Sequence, residues 1–382
     1  MAFEEFGSLL SEICSHSPLA ADRPFYWTII ANPRAGGFTI KPRWKKHLSQ
    51  LAEYAGKAAK NPAGKICGPS ETARNQAGSG AECGLLFTKA PGHAKEITDA
   101  LIDEASKASG SGEKRPFHFI ITAGGDGTSL EVMTSLSRLG EKQRDDFAVL
   151  RLPMGTANDG ADSFDLGEAL NLIIEPPALQ KQRAVRLKTA SGKGPFLAFN
   201  ILSVGLDAFV THMTNRMKDK LPGDSYKLWV DVAALFYDKI YKVGAMDVHS
   251  SDERGNEIKT LEEKLLLIAV GESGRRCYGS QQWILPDDRN VCAIKQMPLL
   301  RKLALKGLLS SGKHSDRDEA ILWNAARVEF QSQYPLLAQM DGETVLLEGN
   351  DFPAVIELTE PLINVLGKRD RRSWIKGMGS RE

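Results

Sequence analysis

The sequence predicts an α/β N-terminal nucleotide-binding domain with a mostly parallel sheet, followed by a C-terminal, mainly antiparallel β-sandwich domain. Three observations predict it. At 382 residues the chain exceeds the roughly 250 residues at which single cores stop growing, so two domains are the prior. From Phe25 to about Glu175 short apolar runs alternate with longer segments of helical period, the texture of βαβα units and a parallel sheet. After Pro176-Pro177 most runs are strand-like, which suits an antiparallel sandwich. The expected boundaries are 24–178 for the first domain and 179–367 for the second.

In the first half the strands fall at Tyr26–Ala31, Leu85–Thr88, Phe117–Thr122 and Ala148–Leu152. The stretch from Ala55 to Gly84 carries Asn61-Pro62, Gly68-Pro69 and Gly78-Ser79-Gly80, loop chemistry too long for a tight connection, and reads as a flexible insertion. In the second half the strand-like runs are Ala184–Thr189, Phe196–Ser203, Val243–His249, Leu265–Val270, Val291–Lys295, Ala326–Gln331, Thr344–Leu347 and Ala354–Leu358. Helices interrupt them at about Ala208–Lys220, Tyr226–Tyr241 and Leu299–Leu309. Two unlike domains meeting at a cleft is the expected site architecture.

Composition removes several function classes. Lys and Arg number 49 against 48 Asp and Glu, a formal net charge of +1, so no global field draws the chain to nucleic acid, which is not an expected partner. The five cysteines are scattered, odd in number and free of CxxC pairs, which argues against a disulfide framework and a zinc site and for a reducing cytosol. The histidines show no HExxH spacing and receive no metal role. No stretch approaches the roughly 18 apolar residues that cross a bilayer, and Glu4, Glu5 and Glu12 stand where a leader would be basic. A cytoplasmic protein is expected, one that meets any lipid from the aqueous side.

The strongest local signal is the apolar run Phe117–Thr122 passing into Ala123-Gly124-Gly125-Asp126-Gly127-Thr128-Ser129-Leu130-Glu131, a buried strand, a glycine turn and a helix start. Glycines let the backbone approach an anion, and consecutive N–H groups at a helix N-terminus can point at phosphate oxygens. Thr128 and Glu131 also have capping-box spacing, so they could merely start the helix. Asp126 weighs against a purely structural turn, because a carboxylate there is unfavourable unless it holds a cation or a proton. A second turn, Ala31-Asn32-Pro33-Arg34-Ala35-Gly36-Gly37, ends the first strand, and a third, Met154-Gly155-Thr156-Ala157-Asn158-Asp159, ends the fourth. Any one is as easily turn chemistry as function; three in register on one carboxyl edge point to a site.

These three turns resemble, in order, the motifs of the diacylglycerol kinase catalytic family, shared with sphingosine and ceramide kinases. The resemblance continues in Asn200–Ala208, in Gly312-Lys313-His314 and in Asp341-Gly342-Glu343, and so spans roughly Phe25 to Leu366. It implies an ATP-dependent lipid kinase with Mg²⁺ as cofactor, acting on diacylglycerol or a similar lipid at the membrane surface. By matching positions, Asn32, Gly124, Gly125, Gly127, Thr128, Glu131, Gly155, Thr156, Asn158 and Asp159 would bind the nucleotide, and Arg34 could reach a phosphate. The resemblance offers Asp126, Asp207 and Glu343 to Mg²⁺, and Asp126 or Asp341 to the lipid hydroxyl proton, with Asp126, Asp341 and Glu343 as the catalytic set. The residues alone do not choose between the two aspartates: Asp341-Gly342 also fits a type I′ hairpin turn, and Asp207 also fits a helix N-cap.

The chain departs from the family pattern at Gly160-Ala161-Asp162, where the family usually has an aromatic, Ala and Arg, and at Pro286-Asp287-Asp288-Arg289-Asn290 on the substrate side. Sphingoid bases and ceramide remain open as acceptors. NAD kinases share the glycine motif but not Gly155–Asp159, and a nucleotide-binding sensor without turnover is the remaining alternative. Leu299–Leu309, following Met297-Pro298, is a short basic amphipathic helix suited to a membrane surface or to covering the sandwich with a basic rim. The tail from Lys368 to Lys376 is basic enough to touch an anionic membrane. Peripheral membrane contact is thus an expectation, and a homodimer is compatible with the sequence.

Overall fold

The computed structural model describes residues 2–19, 24–60, 83–108, 115–217, 236–279 and 282–366. Residues 61–82 of the expected insertion, the basic tail and most of Tyr226–Tyr241 lie outside them; the insertion's ends are not loop, since Ala55–Lys60 finish the helix Lys41–Lys60, with Ala55 and Ala58 buried, and Cys83-Gly84 begin a strand. The chain forms two compact units, the first from Met1–Gln182 with Pro361–Glu382 and the second from Arg183–Glu360. The second is therefore inserted into the first, and the chain returns at Pro361, a return that an expected boundary at 367 does not contain.

The first unit is built on strands β1 Phe25–Ala31, β2 Cys83–Phe87, β3 Phe117–Gly124, β4 Phe147–Pro153 and β5 Gln180–Gln182. The sheet runs β2-β1-β3-β4, then the late strand Ile363–Val365, then β5. β1 to β4 are parallel, while Ile363–Val365 is parallel to β4 and antiparallel to β5. Every residue of β3 and β4 is buried, as expected of a parallel sheet covered on both faces. On one face Trp27, Ile29, Phe119, Ile121, Leu150 and Leu152 pack with Phe6, Leu10, Leu51 and Leu170, from helices Ala2–Ser15, Lys41–Lys60 and Leu166–Ile174. Helices His93–Ala108 and Asp126–Ser137 take the other face, where Thr122 hydrogen-bonds Ser129 at 2.8 Å.

In the second unit, eleven strands form one mostly antiparallel sheet that turns on a single long strand, Glu257–Gly271. The first half of that strand pairs with Ala245–Ser251 and the second half with Ile201–Gly205 and Val291–Lys295. The two layers of the expected sandwich are thus one curled sheet, closed on a shared core that includes Val248, Phe330 and Ile356 from one layer and Val204, Ile268 and Ala338 from the other. On the outer face of the second layer, helices Leu206–Met217 and Leu299–Leu309 add Phe209 and Leu305 to Leu267, Ala269 and Ile294. The run Phe196–Ser203 breaks into two strands at Phe199-Asn200, whose N–H groups turn to the Asp341 carboxylate. No described helix is long and apolar enough to cross a membrane.

Candidate active site

The three turns that the sequence singles out all leave the carboxyl ends of β1, β3 and β4, because parallel strands in register bring those ends to one edge: Ala31 lies beside Ala123, and Gly124 beside Pro153. Hydrogen bonds then interlock the turns. The Asn32 N–H donates to the Ala123 carbonyl at 2.9 Å, its Oδ1 accepts from the Arg34 N–H at 3.0 Å, and its Nδ2 donates to Thr128 Oγ1 at 3.5 Å. The Gly37 N–H reaches the Met154 carbonyl at 2.8 Å. Asn158, at φ 60°, closes the third turn by accepting from the Gly155 N–H at 2.6 Å and donating to the Pro153 carbonyl at 3.2 Å. Gly155 has no freedom here: a Cβ on it would stand 2.5 Å from the Gly125 Cα.

Gly125 caps the helix Asp126–Ser137 and offers no side-chain acceptor to its first turn, so the N-terminus keeps its positive end toward the turns, the arrangement that receives phosphate oxygens. Asp126 opens this helix, and its Oδ1 accepts from the Gly160 N–H at 2.8 Å. Burial raises its pKa above the ordinary carboxylate value, against the lowering effect of the Gly160 and Asp159 N–H groups and of Arg151. Arg34 and Thr156 are exposed at the same edge, whereas Thr128 is buried. Glu131 faces elsewhere. Its carboxylate accepts from Gly92, Ala94 and Lys95 N–H groups at 2.7, 3.0 and 3.4 Å, so it caps the neighbouring helix and not its own, and the Thr128/Glu131 capping box is absent.

Asp162 is not a stray negative charge at the site. Its carboxylate grips Arg151 by the backbone N–H at 2.7 Å and by the guanidinium at 2.6 Å, with both side chains almost fully buried. Sequence reasoning missed Arg43. From the first turn of Lys41–Lys60 it donates to the Gly155 carbonyl at 3.3 Å, and its guanidinium would lie 3.5 Å from a Cβ on Gly36. No described carboxylate pairs with it. Its place on a basic helix start gave no signal.

The other candidate residues belong to the second unit. Asp341 and Gly342, at φ 46° and 104°, join Met340 to Glu343, the two-residue loop with positive φ at both positions that a type I′ turn requires. The Asp341 carboxylate accepts from the Phe199, Asn200 and Ile201 N–H groups, which fixes it beside the strand break. Glu343 is exposed at the start of its strand. Asp207 is buried at a helix start, and its Oδ2 accepts from the Ser203 hydroxyl and from Gln339 Nε2; Gln339 Oε1 in turn holds the Gly342 N–H at 3.1 Å. Burial pushes the Asp207 carboxyl up to about 6. His314, from the Gly312-Lys313-His314 stretch of the resemblance, is buried against the Ile284 carbonyl.

Residues 26–190 match the diacylglycerol kinase catalytic domain. A "Probable lipid kinase YegS-like" of Yersinia enterocolitica is 28% identical over 240 residues, covering 61% of this chain and 74% of that protein. The Escherichia coli "Probable lipid kinase YegS" is 27% identical over 237 residues, covering 61% and 73%. A crystal structure described as "a putative diacylglycerol kinase from Bacillus anthracis" covers 92% of this chain and 98% of its own at a TM-score of 0.55 and 15% identity, a likeness of fold.

Proposed function

We propose, for a chain that is a lipid kinase with a diacylglycerol kinase catalytic domain over residues 26–190, that it transfers the γ-phosphoryl group of ATP to the hydroxyl of diacylglycerol or a similar lipid. The observation that carries this reading is the interlocking of three glycine-bearing turns at one edge of the parallel sheet, with a helix N-terminus and Arg43, with which no described carboxylate pairs, beside them. Phosphoryl transfer asks for positioning and charge neutralisation more than covalent chemistry. In this reading Asn32, Arg34, Gly124, Gly125, Gly127, Thr128, Gly155, Thr156, Asn158 and Asp159 form the nucleotide cradle, and Glu131 supports it from behind. Meeting its acceptor in a bilayer, the protein acts as a peripheral membrane enzyme.

Among the described residues no three His, Cys, Asp or Glu side chains gather into a metal cluster. That suits Mg²⁺, which binds through one or two carboxylates, substrate phosphates and water instead of a protein cage. Asp126 is the first-unit carboxylate we assign to it; in the second unit the Asp207 Oδ2 is taken by Ser203 and Gln339, and Glu343 is exposed. When bound, the ion neutralises phosphate charge. The lipid oxygen attacks the γ-phosphorus, its proton passes to Asp126 or Asp341, and ADP leaves.

The test is transfer of labelled γ-phosphate from Mg-ATP to diacylglycerol, monoacylglycerol, sphingosine and ceramide in mixed micelles, with NAD as the soluble comparator. A labelled lipid product that disappears in a folded Asp126→Asn variant supports the reading. Product from NAD alone, or full activity in the variant, sinks it.

A further inference from the structure

The helix Leu299–Leu309 is turned inside out relative to the rule for surface helices, in which charge faces water and leucine faces the core. Lys302 is 7% exposed, ion-paired at 2.7 Å with Asp238, while Leu300 is 80%, Leu303 45% and Leu299 40% exposed. Ala304 and Gly307 are exposed too, so positions 300, 303, 304 and 307 form one apolar stripe at helical spacing on the outer side. Leu305 and Met297 hold the inner side to the sheet. Asp238, which also accepts from Gln296 at 2.7 Å, ties on the segment Phe236–Ile240, whose Phe236 and Ile240 are 47% and 57% exposed. Five large apolar side chains are thus presented by two adjoining segments of the second unit.

We propose that this surface, led by Leu300 and Leu303, inserts into the bilayer that carries the lipid acceptor. The choice of occupant rests on charge and on the reading of the reaction given above. The helix has no acidic residue; Lys302 is buried against Asp238, Arg301 is exposed and ion-paired with Glu319 at 2.8 Å, and Lys306 and, beside Ile240, Lys239 are exposed at its flanks. An apolar wedge flanked by cations matches an anionic bilayer, where leucines enter the acyl boundary and basic groups stay among the headgroups. Pro298 presents the leucines in the first turn of the helix, and Ala304 and Gly307 leave its second half shallow, so the Leu299–Leu303 end enters first.

The test compares the full chain with a Leu300→Asp/Leu303→Asp double variant and with the milder Leu300→Gln. Sedimentation with vesicles of phosphatidylcholine and phosphatidylserine measures binding; transfer to a short-chain diacylglycerol dispersed in water and to a long-chain one in the vesicles measures activity. Vesicle affinity should fall by roughly tenfold per leucine, and vesicle-borne turnover with it, while melting temperature and turnover of the dispersed acceptor hold. Unchanged vesicle binding overturns the proposal. So does a lower melting temperature in Leu300→Gln, which would mean that the stripe is packed inside the protein, or a dimer broken without loss of vesicle binding. If neither acceptor is phosphorylated by the parent chain, the kinase reading fails while the vesicle arm still decides the surface.

Discussion

At the scale of single residues, two buried acids have consequences that can be measured. Asp162 and Arg151 are 2% and 3% exposed and grip each other through three hydrogen bonds shorter than 3.3 Å. Asp162→Ala strands the guanidinium in the core, and breaking such a pair from one side costs about 3–5 kcal/mol; urea denaturation should show the loss, with Asp162→Asn intermediate. Asp207 acts through pH. Its carboxyl stands at about 6 in the folded chain against an ordinary 3.8, so between those values the folded state keeps a proton that the unfolded chain releases. Stability therefore falls as pH rises through that window and levels off above it, by on the order of 3 kcal/mol. Asp207→Asn cannot ionise and still accepts from Ser203 and Gln339, so its melting temperature should lack the drop between pH 4 and 7 that the parent shows.

At the scale of elements, the legible parts are those whose signal lies within one stretch of chain. β3 and β4 are unbroken buried runs, and each ends in its own glycine turn, so strand and turn are read together. The helix Ala2–Ser15 lies outside the expected elements although Phe6, Leu10, Ile13 and Cys14 mark its buried face at helical spacing. Of Glu257–Gly271 the sequence marks only the part from Leu265, because the first half alternates exposed with half-buried positions in place of a buried run. Glu131 could not have been read: its partners lie 36 to 39 residues away. Glu131→Ala should lower the stability of the chain by about 1–2 kcal/mol by uncapping His93–Ala108, visible as a shifted denaturation midpoint. Arg43, equally invisible, belongs to the turns through Gly155. Arg43→Ala should raise the ATP KM by roughly tenfold, the worth of one charged hydrogen bond, with the lipid KM unchanged; Arg43→Lys should recover only part, since lysine keeps the charge and loses the fork.

At the scale of the whole molecule, the organisation turns on where the chain goes after the second unit. Composition distinguishes the two halves, but a final short strand carries too few residues for its sheet to be read from pattern. Ile363–Val365 returns to the first unit and fills the place between β4 and β5. Asn364 donates to the Arg144 and Phe147 carbonyls at 3.1 and 3.0 Å, and the fully buried Leu366 donates its N–H to Val149 at 3.1 Å. Without this strand β4 would keep β3 as its only neighbour in the sheet, and the edge so opened lies along the strand whose end forms the third turn of the site. Ending the chain after Glu360 leaves every strand of the second unit in place and removes a partner from the first. The truncated chain should therefore denature in two separated transitions, the earlier one belonging to the first unit and moved upward by ATP in the full chain more than in the truncated one. A single transition at the parent midpoint would mean that the strand contributes nothing to the first unit.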